Sequence, residues 1–188
     1  REIGGGEFLM TMHGTFWKFP GTFTAKSSAG LAPRSNYLKV IGDFCQWNDQ
    51  LVLGCDDTAK NEFPNKRAAK GVLAGPGQSQ SNLWFTPLDA TTKLGPALGR
   101  GGVWVNEPVK AGAPSDPFLL DGFTERMLWL SHDGAADTNY TVEIDQHGDG
   151  HWTIWKAFTL SASAPGLWLD LAPQQISGAW IRLTSSRD

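Results

Sequence analysis

From Met127 to the end of the chain, apolar and polar side chains alternate with a period of two, and no other feature limits the possible folds so sharply. Met127, Trp129 and Ser131 oppose Leu128, Leu130 and His132, and Tyr140, Val142 and Ile144 oppose Thr141, Glu143 and Asp145. Trp152, Ile154, Phe158 and Leu160 then stand against Thr153, Trp155, Ala157 and Thr159, followed by "LWLDL" (167 to 171) and "AWIRLT" (179 to 184). Successive side chains of a strand point to opposite faces, so one apolar face in this rhythm means antiparallel strands packed on one side. Five such strands predict a small β-sandwich.

The first part of the chain carries strand-like runs at 7 to 19, 37 to 47, 50 to 56 and 82 to 88, rich in β-branched and aromatic residues and bounded by Gly, Pro, Asn and Asp. They predict one antiparallel four-stranded sheet. Between the third and fourth runs lies the polar stretch "DTAKNEFPNKRAAKGVLAGPGQSQS", from about Asp57 to Ser81. A loop this long calls for a functional or dynamic reason, so it is expected to line whatever site the first domain has. Residues 95 to 117 read as a Gly- and Pro-rich connector, which places a boundary near 110. Nine Trp, 22 Gly and 11 Pro among 188 residues, with only 19% charged, suit an all-β protein with many turns.

Sixteen Lys and Arg against 19 Asp and Glu give a net charge of −3 without a run of either sign, which argues against a nucleic-acid partner. No apolar run approaches the roughly 18 residues of a membrane span. The opening "REIGGGEFLM" lacks the parts of a signal peptide, and a leader preceding it is left open. Cys45 and Cys55 flank "QWNDQLVLG". With a two-residue turn at Asn48 and Asp49, Cys45 lies opposite Val52 and Cys55 falls on the other face, which predicts two buried free thiols; another loop length would permit a bridge.

The densest set of potential ligands is "EIDQHGDGHW", residues 143 to 152. As a calcium loop it would place His147 and Lys156 where oxygen donors are needed. A zinc site would need His147, Asp149 and His151 on one extended face. Gly148, Asp149 and Gly150 suit a turn between two strands, so the expectation is a hairpin without metal or other cofactor. Elsewhere no nucleophile elbow, phosphate loop, paired cysteine motif or dinucleotide fingerprint occurs. Asp43, Asp56, Asp57 and Glu62 are candidate carboxylates for glycoside chemistry, with turn and solvated positions as the alternative. His13 reads as a rim histidine or a catalytic one, and Lys66 and Arg67 as ligands for an anionic sugar or as solvated loop charges.

The tryptophans carry more. Trp155, Trp168 and Trp180 alternate out of phase with apparent core residues; Trp168 shares its face with Asp170, and Trp180 with Arg182. Indole surface beside hydrogen-bonding groups is a chemistry that holds sugars. The other reading makes these indoles glue between domains.

The segments "YLKVIGDFCQWNDQLVLGCDDTAKNEF", "GQSQSNLWFTPLDA", "SDPFLLDGFTERMLWLSHD", "YTVEIDQHGDGHWTIWKAFTL" and "GAWIRLTSSRD" resemble the C-terminal part of large, mostly uncharacterised β-propeller proteins of polysaccharide-degrading bacteria. The resemblance covers nearly the whole chain. It implies the last blade or so of a propeller followed by a terminal β-domain, a carbohydrate-related function in a secreted or periplasmic setting, and a chain that is a fragment; it supplies no catalytic residues. The sequence therefore predicts an all-β protein, with a blade-like antiparallel sheet in 1 to 110 joined to a β-sandwich-like domain in 111 to 188. Its expected partner is a polysaccharide or oligosaccharide, recognised through Trp155, Trp168, Trp180 and Arg182 with Lys66 and Arg67. The alternatives are a hydrolase using Asp43, Asp56, Asp57 or His13, and a purely structural fragment. An isolated blade would expose apolar faces and strand edges, which predicts either a homodimer or closely docked domains burying the indoles.

Overall fold

The computed structural model describes residues 1 to 37, 40 to 56 and 81 to 188. The protein is all-β, built from small antiparallel sheets, with one short 3-10 turn and no α-helix among the described residues. No described helix is long and apolar enough to cross a membrane. The chain forms two compact units, Arg1–Gly21 with Leu31–Leu98, and Thr22–Gly30 with Gly99–Asp188. The division falls at 98/99, not near 110, because Val103 and Trp104 of the connector already pack on the core of the second unit.

The first unit contains two three-stranded meanders where the sequence predicts one four-stranded sheet. Strands β1 (Leu9–Met12), β2 (Thr15–Lys18) and β3 (Ala32–Asn36) form one, and β4 (Val40–Trp47), β5 (Gln50–Asp56) and β6 (Ser81–Pro87) the other. The run from 7 to 19 is itself a hairpin. His13 and Gly14, at φ 49° and 76°, make the two-residue turn closed by the pair Met12 and Thr15. Phe16, Leu9, Tyr37 and Ile3 meet Phe44, Leu51, Leu53 and Cys55 in a shared core.

Asn48 and Asp49 form the β4–β5 turn at φ 49° and 59°, so Cys45 pairs with Val52. Neither cysteine is in a disulfide; Cys55 is buried as expected, whereas Cys45 is exposed, because it stands on the face of β4 away from the core. The face of β4–β6 away from the core carries Trp47 and Phe85, with ring centroids 6.2 Å apart, together with Leu83. All three are exposed.

The second unit is a small sandwich. Strands β9 (Thr138–Asp145), β10 (Trp152–Leu160), β12 (Trp180–Ser185) and the short β7 (Phe118–Leu119) form a sheet in the order β10-β9-β12-β7, and β8 (Met127–Leu130) pairs with β11 (Leu167–Asp170). Tyr140, Val142, Ile144, Ile181 and Leu183 of the larger sheet bury against Leu130, Leu169 and Leu171 of the smaller side. The alternation of β8, β9, β11 and β12 is the expected one.

Strand β10 breaks it. Its ladder slips between Ile154 and Lys156, leaving Trp155 as the extra residue of a β-bulge. Trp152 and Ile154 therefore pair with Asp145 and Glu143 on the outer face, Phe158 pairs with Tyr140 on the core face, and Trp155 packs against the core. Ile154, a core residue by uninterrupted alternation, is exposed.

Candidate functional site

The loop between β9 and β10 is a hairpin connection in which a carboxylate performs a structural task. Asp145 is only 3% exposed. Its Oδ1 accepts the backbone N–H of His147 (3.2 Å), Gly148 (2.8 Å) and Asp149 (3.2 Å), and its Oδ2 that of Gly150 (2.8 Å). Gly148 and Gly150, at φ 70° and 86°, let the backbone curl around the anion. A carboxylate ringed by amide donors has little lone-pair capacity left for a cation.

Asp149 accepts the His151 N–H at 3.1 Å, and this backbone donor, with the His151 ring beside it, holds the Asp149 carboxyl below the ordinary aspartate value. Among the described residues no group of three or more His, Cys, Asp or Glu is placed to hold a metal.

The three tryptophans singled out in the sequence do not form one platform. Trp155 lies on the core side through the bulge. Trp180 lies on the outer face of the larger sheet, where its Nε1 donates to Ser28 Oγ at 2.8 Å. Trp168 lies on the outer face of the smaller sheet, the opposite side of the sandwich. There it pairs across strands with Trp129, ring centroids 5.0 Å apart and planes tilted by 51°.

This second indole completes an exposed aromatic surface: Trp168 is 60% exposed, Trp129 43% and Met127 69%. Asp170, paired with Met127, stands in the adjoining row and accepts the Ala172 N–H through Oδ1 at 2.8 Å. Gly166 lies directly beneath Trp129. A Cβ there would stand 2.3 Å from Trp129 Cζ2, and at φ 143° any side chain is also strained.

On the other side of the sandwich, Arg182 forms a two-pronged ion pair with Glu143, Nε to Oε2 at 2.8 Å and Nη2 to Oε1 at 3.3 Å. Its guanidinium lies over the Trp152 ring, 4.3 Å from the centroid. An open depression of about 310 Å³ adjoins the pair, lined by Thr141, Glu143, Arg182, Thr184, Gly112 and Pro114.

The described catalytic candidates, His13, Asp43 and Asp56, belong to the first unit. His13 is the first residue of the β1–β2 turn and is exposed. Asp43 pairs with the Arg1 guanidinium at 2.5 Å and caps the Phe44 N–H at 2.8 Å. Among the described residues no hydrogen bond or ion pair joins His13 to Asp43. Asp56 ends β5. Asp57, Glu62, Lys66 and Arg67, with the loop of which they are part, lie outside the described residues.

Sequence reasoning passed over Trp129, Trp152, Glu143 and the two threonines. Trp129 carried a usable signal, since it stands out of phase with Leu128 and Leu130 just as Trp168 does with Leu167 and Leu169. Comparison of the chain with protein-family models, with curated proteins and with solved structures finds no match.

Proposed function

We propose that the protein recognises a polysaccharide, and that the Trp129–Trp168 pair is the surface it uses. One observation carries this reading: two indoles touch each other across strands, expose much of their area, and stand beside the carboxylate of Asp170. Large contiguous apolar patches are uncommon on protein surfaces unless something binds there. The C–H face of a pyranose matches an indole face, and a neighbouring carboxylate accepts from its hydroxyls. A tilt of 51° between the rings favours a single twisting glycan strand over a flat crystalline surface, which would touch only one ring at a time.

Burying about 60–80 Å² of indole at ~25 cal/mol/Å² contributes about 1.5–2 kcal/mol, or roughly ten- to thirty-fold in affinity. Affinity electrophoresis of the whole chain in gels cast with soluble glucans, mannans, xylans and galactans tests the proposal. Retardation should occur in at least one gel and be weakened about ten-fold or more in Trp168→Ala and in Trp129→Ala, with Trp155→Ala unsuitable as a control because it opens the core. Equal mobility of wild type and both variants in every gel rejects it.

A further inference from the structure

We infer that the depression on the outer face of the larger sheet is a second saccharide site, distinct from the aromatic pair and selective for uncharged sugars. The two surfaces lie on opposite faces of one sandwich, since the core residues of β9 and β12 alternate with Glu143 and Arg182, and those of β8 and β11 alternate with Trp129 and Trp168. This inference does not depend on the aromatic pair binding anything.

Three features of the depression point to a polyol. Its floor is already rigid: Glu143 holds Arg182 on two prongs and Trp152 supports the guanidinium from one side, so little side-chain freedom remains to be lost when a ligand arrives. Its wall is fixed as well. Gly112 donates to Ser185 O at 2.8 Å, Ser115 donates to Leu183 O at 2.7 Å, and Pro114 bridges Thr184, which lays residues 112 to 115 along β12. Finally, the hydroxyls of Thr141 and Thr184 face the space without a hydrogen-bond partner among the described residues.

Donor and acceptor groups are thus interleaved. The guanidinium retains N–H donors beyond the two spent on Glu143, the Glu143 carboxylate retains acceptor lone pairs, and each threonine hydroxyl offers both. Adjacent hydroxyls of a sugar need this mixture, because each donates once and accepts as well. A volume of about 310 Å³ stands at the small end of the roughly 300–1,000 Å³ typical of ligand sites, suited to one or two sugar rings.

Charge selects the ligand class. Glu143 neutralises Arg182 inside a half-buried pair, so an incoming uronate gains little from the guanidinium and meets the carboxylate beside it. An uncharged ring meets no such opposition.

The test uses the whole chain, labelled with nitrogen-15, titrated separately with neutral gluco-, manno-, xylo- and galacto-hexaoses and with oligogalacturonate. The Arg182 Nε–H signal reports the depression, and the indole Nε1–H signals of Trp129 and Trp168 report the aromatic pair. Saturable movement of the Arg182 signal with a neutral hexaose is expected. It should persist in the Trp129→Ala/Trp168→Ala double variant and weaken at least ten-fold in Thr141→Val/Thr184→Val, whose shape is preserved.

An Arg182 signal unmoved by every neutral probe overturns the inference whatever the indoles do. Movement that survives Thr141→Val/Thr184→Val, or that vanishes with the two tryptophans, overturns it too. Tighter binding of oligogalacturonate, weakened by salt, overturns the ligand class. Movement of the indole signals alone leaves the aromatic proposal standing and rejects this one.

Discussion

Replacing Asp145 separates its structural role from a metal-binding one. The carboxylate receives two short N–H bonds, from Gly148 and Gly150 at 2.8 Å, and two longer ones, from His147 and Asp149 at 3.2 Å. A hydrogen bond to a charged group contributes about 1.5–3 kcal/mol. The two short bonds therefore set a scale of about 3–6 kcal/mol, and solvation of the Gly150 amide, which is at an exposed position while Gly148 is buried, lowers the loss expected for Asp145→Ala to about 3–4 kcal/mol.

Asp145→Asn keeps one oxygen for three of the donors but turns an amide NH2 towards Gly150 N–H, and about 2–3 kcal/mol is expected. For a unit of about a hundred residues each kcal/mol moves the melting temperature by about 4–8 °C, so Asp145→Ala should lower the transition of this unit by well over 10 °C. Thermal unfolding followed by near-ultraviolet circular dichroism reads this directly. His147→Ala, at an exposed position, should stay within about 0.5 kcal/mol of wild type, and a chelator should change nothing. Refutation would be an Asp145→Ala protein as stable as wild type, or a melting temperature that falls when chelator is added and returns with a stoichiometric divalent ion.

Gly166→Ala should push the Trp129 indole out of place and strain the backbone, lowering glycan affinity at the aromatic pair about as much as Trp129→Ala does; titration of retarded ligand in gels measures it. Leu183→Ala, at a fully buried core position, should destabilise the second unit by about 2–5 kcal/mol in guanidinium titration. Burial holds the Tyr140 phenol above its ordinary value, so the folded state keeps the proton longer than the unfolded chain. The stability this contributes is fully present below pH 10 and is lost as pH rises through the folded value; Tyr140→Phe should remove that alkaline loss in denaturation series run across pH 9 to 12.

Where side chains alternate without interruption, the sandwich was legible in the sequence. Val142, Ile181, Leu183 and Leu169 are in the core because a strand has only two faces and a burial pattern of period two leaves no choice. The Cys45–Val52 register was legible for a similar reason, since Asn48 and Asp49 accept the positive φ that a two-residue turn requires. The hairpin hidden in 7 to 19 was not legible, because its turn uses His13, and a histidine at positive φ leaves only a weak trace in the sequence.

Strand β3, "APRSN", has neither the apolar rhythm nor the β-branched content that marks a strand, and the sheet it joins determines its state. The aromatic pair depends on the register between β8 and β11, which are separated in the chain by two strands of the other sheet, and no local pattern specifies that pairing. The turn at 145 to 151 was legible but the task of Asp145 within it was not, for a chemical reason: a carboxylate that gathers amides and one that gathers a cation occupy similar glycine-rich sequence.

The β-bulge also governs which changes of chain length the protein tolerates. Strand β10 spends two residues, Trp155 and Lys156, on a step that needs one, with the indole against the core and the ammonium outside. Deleting Lys156 would restore an unbroken ladder with Trp155 opposite Val142 and every later pair unchanged. Deleting Trp155 would also restore it, but with an ammonium directed at the leucine-rich interior. One of two adjacent codons is therefore dispensable in this strand and its neighbour is not, an asymmetry in indel tolerance that uniform burial or strand propensity would never reveal.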